Sequence, residues 1–531
     1  MRNDTSKTMF DVIIKNGTIV DGTGAPMYRA DIGIKEEKIV KIGDLANEKW
    51  EIEIDATDKM VCPGFVDVNN HSDAYWQIFV NPNLESLVYQ GITTIVGGNC
   101  GSSLAPLVDQ NTIASIQKWA NINQVNVNWL KMEEFLRVVE NSKLAVNFAT
   151  LVGHGTLRRG IIKDEMRSLK EKESAFIEKM LATSMKEGAL GMSSGLVYTH
   201  ARSASTEELI KFAKIIKKYG GVYVTHIRGE RGDFVEAVEE AIKIAEESKV
   251  KLHIAHLKVM GEKNWHLMDE ALFLLGKAKE RGVDVTFDVY PYTNTGTVLY
   301  TLLPHWVSDG GKKMMLGRLK DPLTRAKIVE EMMESELDYS KIDISISLLD
   351  KTLAKRSISE IASSQGKGAE DAVLDILIAS EGRVITSMEV LSQENVEKAL
   401  KSPLSIIGSN GSGYNIAHSK TGELVHPRSF GAFTKILSNY VLGKRILSWE
   451  EAIRKMTALP AEKFGLEKRG KIAEKYFADI VIINRDTIED LATVDNPYQY
   501  SKGVEEVLVN GQLVVSEGRY TGVRNGEIIR K

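Results

Sequence analysis

The chain has 531 residues, enough for one large barrel with an attached lobe or for about three to four domains of average size. Hydrophobic residues make up 43% and charged residues 26%, which excludes a mostly disordered chain. The net charge of −4 excludes an overall basic field that draws the protein to nucleic acid or acidic lipid, and the presence of only two cysteines excludes a disulfide scaffold.

No targeting or membrane segment stands out in the sequence. Residues 1–9 are polar, and the first apolar run carries Asp11, so a secretory signal is not predicted. The longest uncharged run, Ser86–Val108, contains Gln90, Asn99 and Pro106, which favours a buried strand with its loop over a bilayer helix. We therefore expect a cytoplasmic protein with neither a membrane nor a nucleic-acid partner.

Both ends of the chain alternate between apolar and polar residues, as antiparallel strands do. The predicted strands near the two ends are 11–20, 30–35, 38–42, 50–55, 479–483, 504–509 and 512–515. Asn16-Gly17 and Asn510-Gly511 are hairpin signals. Because neither end has much core alone, we expect residues 1–59 and 465–531 to form one small β-sandwich domain together.

Between the two ends, short apolar runs alternate with helical patterns. The runs are Met60–Val68, Ile92–Gly97, Leu144–Leu151, Ala189–Met192, Gly221–Thr225, Lys251–Ala255, Val283–Phe287 and Leu404–Gly408. Such runs are typical of buried parallel strands, and eight strand-then-helix units predict the α/β class with a (β/α)8 barrel of the TIM type over residues 60–464. The alternative is a doubly wound open sheet, although the Gly-rich dinucleotide turn is missing after the first run.

The last two runs are separated by about 120 residues, whereas a strand–helix unit needs only about 30. Residues 300–401 are therefore predicted to be an inserted, partly helical, lid-like segment. Insertions on the carboxyl face of a barrel commonly cover the active site.

Side chains that can bind a metal or transfer a proton follow the predicted strands, at the rim where barrel enzymes carry their active sites. Cys100 follows the second run, His226 the fifth and His256 the sixth. Zinc takes thiolate and imidazole ligands, and a catalytic zinc site has three protein ligands and one open position. These residues are therefore candidate zinc ligands, and a bound water would attack a carbonyl. The alternative is a buried apolar Cys100 and hydrogen-bonded rim histidines.

An ordered series of motifs runs along the same strands. The most specific motifs are Gly91-Ile-Thr-Thr-Ile-Val-Gly-Gly-Asn-Cys-Gly101, Gly153-His-Gly-Thr-Leu-Arg158, Glu187-Gly-Ala-Leu-Gly-Met-Ser-Ser-Gly-Leu196, Thr225-His-Ile-Arg228, Ala255-His-Leu-Lys258, Asp288-Val-Tyr-Pro-Tyr292 and His426-Pro-Arg-Ser-Phe-Gly431. In this order they resemble the N-acyl-D-amino-acid deacylases (D-aminoacylases) of the amidohydrolase superfamily over nearly the whole chain. The resemblance implies a metal-dependent barrel that hydrolyses the amide bond of a small molecule, an N-acyl-D-amino acid, to a carboxylate and a D-amino acid.

The resemblance also implies roles for single residues. It assigns the tightly bound zinc to Cys100, His226 and His256, and a weaker second metal to a His-x-His pair whose second histidine is His71. It assigns the substrate carboxylate to Tyr198, Lys258, Tyr290 and Arg428, and such a set suits a carboxylate well. Core packing is the alternative for the two tyrosines. No lysine stands in Met192-Ser-Ser-Gly195, where the dihydroorotase and hydantoinase branches carry a carboxylated lysine, which favours the deacylase branch.

Two residues depart from the family pattern. Asn69 stands in place of the first histidine of the pair, so the second metal position is predicted to be lost or altered. Asn410 stands in place of the aspartate that serves as general base and acid, and an amide cannot accept and return a proton. Such groups typically contribute about 10²–10⁴-fold to the rate.

Three accounts of Asn410 remain open at this point. In the first, Asp73 or Asp288 has taken over the proton transfer. In the second, the protein runs another reaction or binds its ligand without turnover. In the third, Asn410, which directly precedes Gly411, deamidates to aspartate after synthesis. Hydrolysis of a cyclic amide and ligand binding without catalysis are therefore the alternative functions. Met260, Val197 and Leu299 either line an apolar side-chain pocket or pack in the core, whereas His253 is expected to be structural. The sequence does not determine which acyl group and which amino-acid side chain the substrate carries, nor the oligomeric state of the protein.

Overall fold

A computed structural model describes residues 9–113, 125–335, 337–347 and 350–531. The strands, in chain order, are β1 (Met9–Lys15), β2 (Thr18–Ile19), β3 (Tyr28–Arg29), β4 (Asp31–Lys35), β5 (Lys38–Gly43), β6 (Lys49–Asp55), β7 (Met60–Pro63), β8 (Phe65–Asp67), β9 (Ile92–Gly97), β10 (Asn147–Thr150), β11 (Val152–Gly153), β12 (Gly191–Gly195), β13 (Val222–His226), β14 (Lys251–Ile254), β15 (Val285–Val289), β16 (Asn294–Val298), β17 (Ile342–Ser347), β18 (Val384–Glu389), β19 (Ser405–Ile407), β20 (Ile480–Ile483), β21 (Val504–Val509), β22 (Gln512–Ser516) and β23 (Arg519–Tyr520).

Helices connect most of the central strands. The α-helices are α1 (Gln77–Val80), α2 (Glu85–Val88), α3 (Met132–Ser142), α4 (His154–Ile162), α5 (Glu171–Lys186), α6 (Thr199–Arg202), α7 (Thr206–Lys218), α8 (Phe234–Ser248), α9 (Leu267–Glu280), α10 (Gly311–Lys320), α11 (Pro322–Met333), α12 (Ile358–Ser364), α13 (Ala369–Ala379), α14 (Gln393–Lys401), α15 (Arg428–Lys435), α16 (Trp449–Met456) and α17 (Ala458–Phe464). Short 3₁₀ helices span Glu262–Asn264, Leu299–Leu302, His305–Ser308, Tyr339–Lys341, Lys351–Leu353 and Ile416–Thr421, and a π-helix spans Ile436–Gly443. Within the described part of the chain, none of these helices is both long and apolar enough to cross a membrane.

Eight parallel strands form a closed barrel. β8, β9 and β10 lie side by side, β10 continues past Leu151 into β11, and β12, β13, β14, β15 and β19 follow in order. A parallel bridge between Asn70 and Gly411, just beyond β8 and β19, joins the last strand to the first. The predicted α/β class and (β/α)8 barrel are confirmed, and the open doubly wound sheet is wrong because the edge strands meet.

The β-domain packs two sheets from both ends of the chain against each other. One sheet has the order β5-β4-β1-β6 and the other β23-β22-β21-β20-β7-β2-β3. Apolar side chains such as Ile14, Ile34 and Ile482 fill the space between them. Asn510-Gly511 makes the predicted hairpin between β21 and β22, with φ angles of 48° and 78°. Asn16-Gly17 does not make a hairpin, because β1 and β2 lie in different sheets and the turn carries the chain between them.

The first predicted run, residues 60–68, holds two strands rather than one. β7 pairs with β2 and β20 in the β-domain, whereas β8 begins the barrel. Gly64 separates them at a point of close packing, since a Cβ there would lie 2.1 Å from Thr93 Oγ1. We therefore propose that the domain boundary follows Pro63 instead of residue 59, with 465–531 as the second part of the β-domain.

The insertion forms a lobe with its own sheet and core. β16, β18 and β17 make a three-stranded antiparallel sheet, and α10 to α13 pack around it. The sheet begins at residue 294 and ends at residue 389, while Val396 and Leu400 of α14 pack into the barrel core. We propose the limits 294–389 for this lobe in place of 300–401.

Candidate active site

A cavity of about 570 Å³ lies between the carboxyl ends of the barrel strands and the lobe. Its volume is in the range of small-molecule sites. The barrel residues that line it and carry polar or reactive side chains include His71, Cys100, Tyr198, His226, Glu230, His256, Lys258, Asn410 and Arg428. The lobe covers the opposite side with residues of β16, α11, β17 and β18.

The structure brings Cys100, His226 and His256 together at the base of this cavity. One ligand atom of each lies within 4.8 Å of the others, and Cys100 Sγ is 3.5 Å from His256 Nε2. Nδ1 of buried His226 makes no hydrogen bond among the described residues, and its Nε2 lies 3.2 Å from Glu230 Oε1. A buried thiol with two imidazoles, one of which has an unpaired ring nitrogen, fits a zinc ion.

The backbone at this cluster is strained, and burial favours the uncharged forms of Cys100 and His256. Cys100 and His256 have φ angles of 52° and 38°, in the left-handed region that non-glycine residues rarely adopt. Burial raises the pKa of the Cys100 thiol to about 12 and lowers the pKa of His256 well below its usual range. Neutral imidazoles present the lone pairs that a metal needs, and the thiol loses its proton when a metal binds.

Glu230 joins this cluster, and the sequence analysis did not single it out. Its Oε1 lies 3.2 Å from His226 Nε2 and 3.6 Å from His256 Nδ1, and it accepts a hydrogen bond from Lys258 Nζ. Burial alone would raise the pKa of Glu230, but Lys258 and His226 more than offset it and lower the pKa to about 2. A carboxylate four residues after a strand-end histidine is the signal that could have found it.

His71 and Asn410 face each other across the seam that closes the barrel. His71 Nε2 lies 2.8 Å from Asn410 Oδ1, and both residues line the cavity. Burial lowers the pKa of His71 to about 4, although the contact with Asn410 acts in the opposite direction. Below them, Asp67 accepts hydrogen bonds from the backbone N–H and hydroxyl of Ser409 and so holds the loop that carries Asn410.

Asn69 turns away from the cavity. Its Nδ2 donates to Asp288 Oδ1 at 3.1 Å, and its buried Oδ1 has no hydrogen-bond partner within the described ranges. The first position of the family's His-x-His pair therefore contacts a barrel carboxylate in this chain.

Three of the four residues predicted to hold a substrate carboxylate line the cavity: Tyr198, Lys258 and Arg428. Arg428 is only 8% exposed, and its Nε and Nη1 have no hydrogen-bond partner among the residues that the structure describes. A buried, fixed guanidinium with free donors is costly unless an anion reaches it. The same cavity therefore holds both a guanidinium with unpaired donors and the candidate metal ligands.

The chain matches the model of the amidohydrolase family over residues 53–315 and 422–515, and residues 1–66 match the N-terminal domain of the urease alpha-subunit. The chain belongs to the amidohydrolase family.

Relatives of this amidohydrolase include characterised deacylases. It is 32% identical over 522 residues to the D-aminoacylase of Alcaligenes xylosoxydans xylosoxydans, covering 98% of each chain. It is 33% identical over 524 residues to the N-acyl-D-glutamate deacylase of the same organism, covering 98% of this chain and 96% of the relative.

Solved structures show the same likeness. A D-aminoacylase studied for its binuclear metal centre superposes with a TM-score of 0.84 at 30% identity, covering 98% of this chain and 100% of the other. The N-acyl-D-glutamate deacylase of Bordetella bronchiseptica superposes with a TM-score of 0.83 at 29% identity, covering 99% of this chain and 100% of the other. That structure is a complex with zinc and a phosphonate mimic of the tetrahedral intermediate. Metal-dependent hydrolysis of small molecules is thus the chemistry of this family.

Two carboxylates predicted as replacement proton carriers in this amidohydrolase do not reach the cavity. Asp73 accepts hydrogen bonds from the backbone N–H groups of Gly98 and Ala74, at 2.7 and 2.8 Å. Asp288 is fully buried between Asn69 and His253, whose Nε2 lies 2.9 Å from it. Neither residue lines the cavity, because both carboxylates are directed under the strand ends to satisfy barrel groups. These contacts argue against proton transfer by either residue, a role that stays a prediction, whereas the structural placement expected of His253 agrees with them.

Tyr290, predicted to contact the substrate, and Leu299, left open between a side-chain pocket and the core, both lie outside the cavity lining. The Tyr290 hydroxyl donates to Thr295 Oγ1 at 3.0 Å, and the guanidinium of Arg428 lies 5.0 Å from the Tyr290 ring centroid. Tyr290 does not line the cavity, so its ring supports Arg428 from behind. Val197 and Met260 line the cavity, but Leu299 is fully buried in the core of the lobe.

Proposed function

We propose that this amidohydrolase hydrolyses the amide bond of N-acyl-D-amino acids to a carboxylate and a D-amino acid. One observation carries the proposal: the free N–H donors of buried Arg428 lie in the same cavity as the Cys100, His226 and His256 cluster. An anion receptor beside a metal-ligand set suits a substrate with both a carboxylate and an amide. The names of the relatives, D-aminoacylase and N-acyl-D-glutamate deacylase, support this substrate class.

Cys100, His226 and His256 would hold one zinc ion. A zinc ion in such a site supplies a Lewis acid for the acyl carbonyl and lowers the pKa of a water molecule. We propose that the second metal position is lost, because Asn69 contacts Asp288 and Asn410 offers only an amide to His71. A carboxamide oxygen is a much poorer zinc ligand than an imidazole.

The remaining side chains orient the substrate. Arg428 holds the carboxylate through its free N–H donors, and the ammonium of Lys258, fixed by Glu230, adds a second positive charge. The Tyr198 ring packs 5.4 Å from the His226 ring and borders the substrate next to the candidate metal ligands. Such fixed contacts lower the entropy cost of bringing the amide to the reacting position.

Proton transfer to the leaving nitrogen is where this chain departs from its family. Asn410 lines the cavity but cannot carry a proton, which favours ligand binding without fast turnover as the second candidate function. Deamidation is disfavoured by the local contacts. The attacking nitrogen would be that of Gly411, which is buried and donates to Ser409 Oγ at 2.9 Å.

The test is amino-acid release by the zinc-loaded protein from matched panels of N-acetyl-D- and N-acetyl-L-amino acids. We expect release from the D panel, and the intact mass of the same sample should show an amide at Asn410. Hydantoins and dihydroorotate serve as the cyclic-amide control. A thermal shift from the D panel without product would support the binding function, and no release and no shift would exclude both.

Replacing Glu230 with glutamine should weaken zinc binding about 10–100-fold, as is typical when a partner of a metal-binding histidine is lost. The substitution removes the negative charge that contacts His226 and Lys258 while keeping the side-chain size. The measurement is competition for zinc with a chromogenic chelator. Asp233→Asn, in the same loop and also lining the cavity, is the matched control and should bind zinc like the wild type. Equal zinc affinity in E230Q and wild type would contradict this role.

A further inference from the structure

Ser387, on the central strand of the lobe sheet, has a buried hydroxyl that no described residue satisfies. It is 5% exposed, its Oγ makes no hydrogen bond within the described residues, and it lines the cavity. A buried hydroxyl without a partner is destabilising, so its retention needs a reason. Ser387 pairs across the sheet with Gly296 on β16 and with Asp343 on β17. Both pairings use the backbone and leave the hydroxyl unused.

The position of Ser387 in the sheet directs its side chain towards Arg428. Gly296 is its direct partner on β16, and a Cβ at Gly296 would lie 3.8 Å from Arg428 Nη2. Directly paired residues of antiparallel strands carry their side chains on the same face, with Cβ atoms about 4.5–5.5 Å apart. Because Gly296 has no side chain, this position of β16 fills none of the space beside the guanidinium.

The free donors on both sides of this space belong to different parts of the molecule. Arg428 presents unpaired Nε and Nη1 from the barrel side, and Ser387 presents its Oγ from the lobe. A carboxylate has two oxygens and can accept one hydrogen bond of about 2.8 Å from each side. A neutral group of the same shape would leave the guanidinium without a counter-charge.

We infer that Ser387 is a substrate-binding residue that completes the carboxylate subsite, so that the bound ligand bridges the barrel and the lobe. This inference rests on the proposed function for the identity of the ligand, a compound with a free α-carboxylate. It adds a contact from the inserted lobe to those assigned to Tyr198, Lys258 and Arg428. The lobe thereby takes part in choosing substrates with a free carboxylate, in addition to covering the cavity.

The experiment compares wild type with Ser387→Ala in the zinc-loaded protein. The probes are N-acetyl-D-leucine and its neutral carboxamide, and the dissociation constants are measured by titration calorimetry under conditions that limit turnover. We expect S387A to raise the Kd of N-acetyl-D-leucine about tenfold or more, since a hydrogen bond to a charged group is lost. The Kd of the carboxamide should change much less, so the difference between the probes isolates the carboxylate contact.

Ser347→Ala is the matched control. Ser347 is buried on the neighbouring strand β17 and does not line the cavity, so this variant should leave both dissociation constants unchanged. Amide hydrogen exchange gives a second readout: N-acetyl-D-leucine should slow exchange in β18 of the wild type but not of S387A. Equal affinity of S387A and wild type for N-acetyl-D-leucine, equal losses for both probes, or no binding by the wild type would each overturn the inference. Binding that depends on Ser387 without release of leucine would uphold it and count against the proposed hydrolysis alone.

Discussion

Replacing Asn410 with aspartate is expected to raise kcat on N-acyl-D-amino acids about 10²–10⁴-fold, the usual contribution of a positioned acid–base group. The new carboxylate would take the place of an amide that lines the cavity and lies 2.8 Å from His71 Nε2. The backbone there has a φ of 48°, and aspartate tolerates this left-handed conformation about as well as asparagine. The measurement is steady-state release of the amino acid by zinc-loaded N410D and wild type.

The pH dependence of N410D provides a second readout. Burial disfavours the charged form of a carboxyl group and therefore raises its pKa. The activity of N410D should fall as the pH drops through that pKa, because a protonated carboxyl cannot act as a base, and the wild type should lack this limb. Asn410→Ala, which removes the amide without adding a carboxylate, should not raise kcat above that of the wild type. A kcat in N410D equal to that of the wild type would mean that another group already transfers the proton.

Replacing His226 with alanine is expected to abolish stoichiometric zinc binding and reduce amide hydrolysis to the rate of the zinc-free protein. His226 is one of three ligand candidates, and its Nδ1 has no hydrogen-bond partner among the described residues. A three-ligand site that loses one imidazole keeps too few protein donors for tight binding. Metal content by elemental analysis and activity on the same samples check this result.

Thermal unfolding separates loss of the metal from loss of the fold. Zinc at about 100 times its Kd should stabilise the wild type by about 2.7 kcal/mol, and this gain should be absent in H226A. His418→Ala is the matched control, because His418 lies outside the cluster and contacts Glu423 at 2.9 Å. It should bind zinc and unfold like the wild type. Wild-type zinc content in H226A would remove the three-residue site from the proposal.

The sequence by itself determined the order of the barrel strands and the residues at their carboxyl ends. Cys100, His226 and His256 follow three different predicted strands, and the structure brings them within one cluster. The reason is geometric: parallel strands in a closed barrel all end on the same face, so residues that follow them converge whatever the loops between them do. Asn69 and Asn410 were also evident from the sequence, because each departs from a short motif.

Only the tertiary structure decided where the side chains near those strand ends point. Asp73 and Asp288 satisfy backbone or barrel groups, although Asp73 directly precedes Ala74, which lines the cavity. A shift of one residue along a strand moves a side chain to the other face, and a loop after the strand has no fixed period. For the same reason Tyr290 could not be placed behind Arg428 from its motif.

Contacts between residues that are far apart in the chain could not be predicted from the sequence either. Glu230 belongs to the site because the loop after β13 folds back on Lys258, and Ser387 belongs to it because the lobe sheet lies over Arg428. Ser387 has no chemical signature in its own segment, since a single hydroxyl is common on any surface, and Glu230 has only its spacing of four residues from His226. The sequence thus determined which groups the barrel rim carries, and the packing of loops and lobe decided which of them face the cavity, because burial and hydrogen bonding direct each side chain.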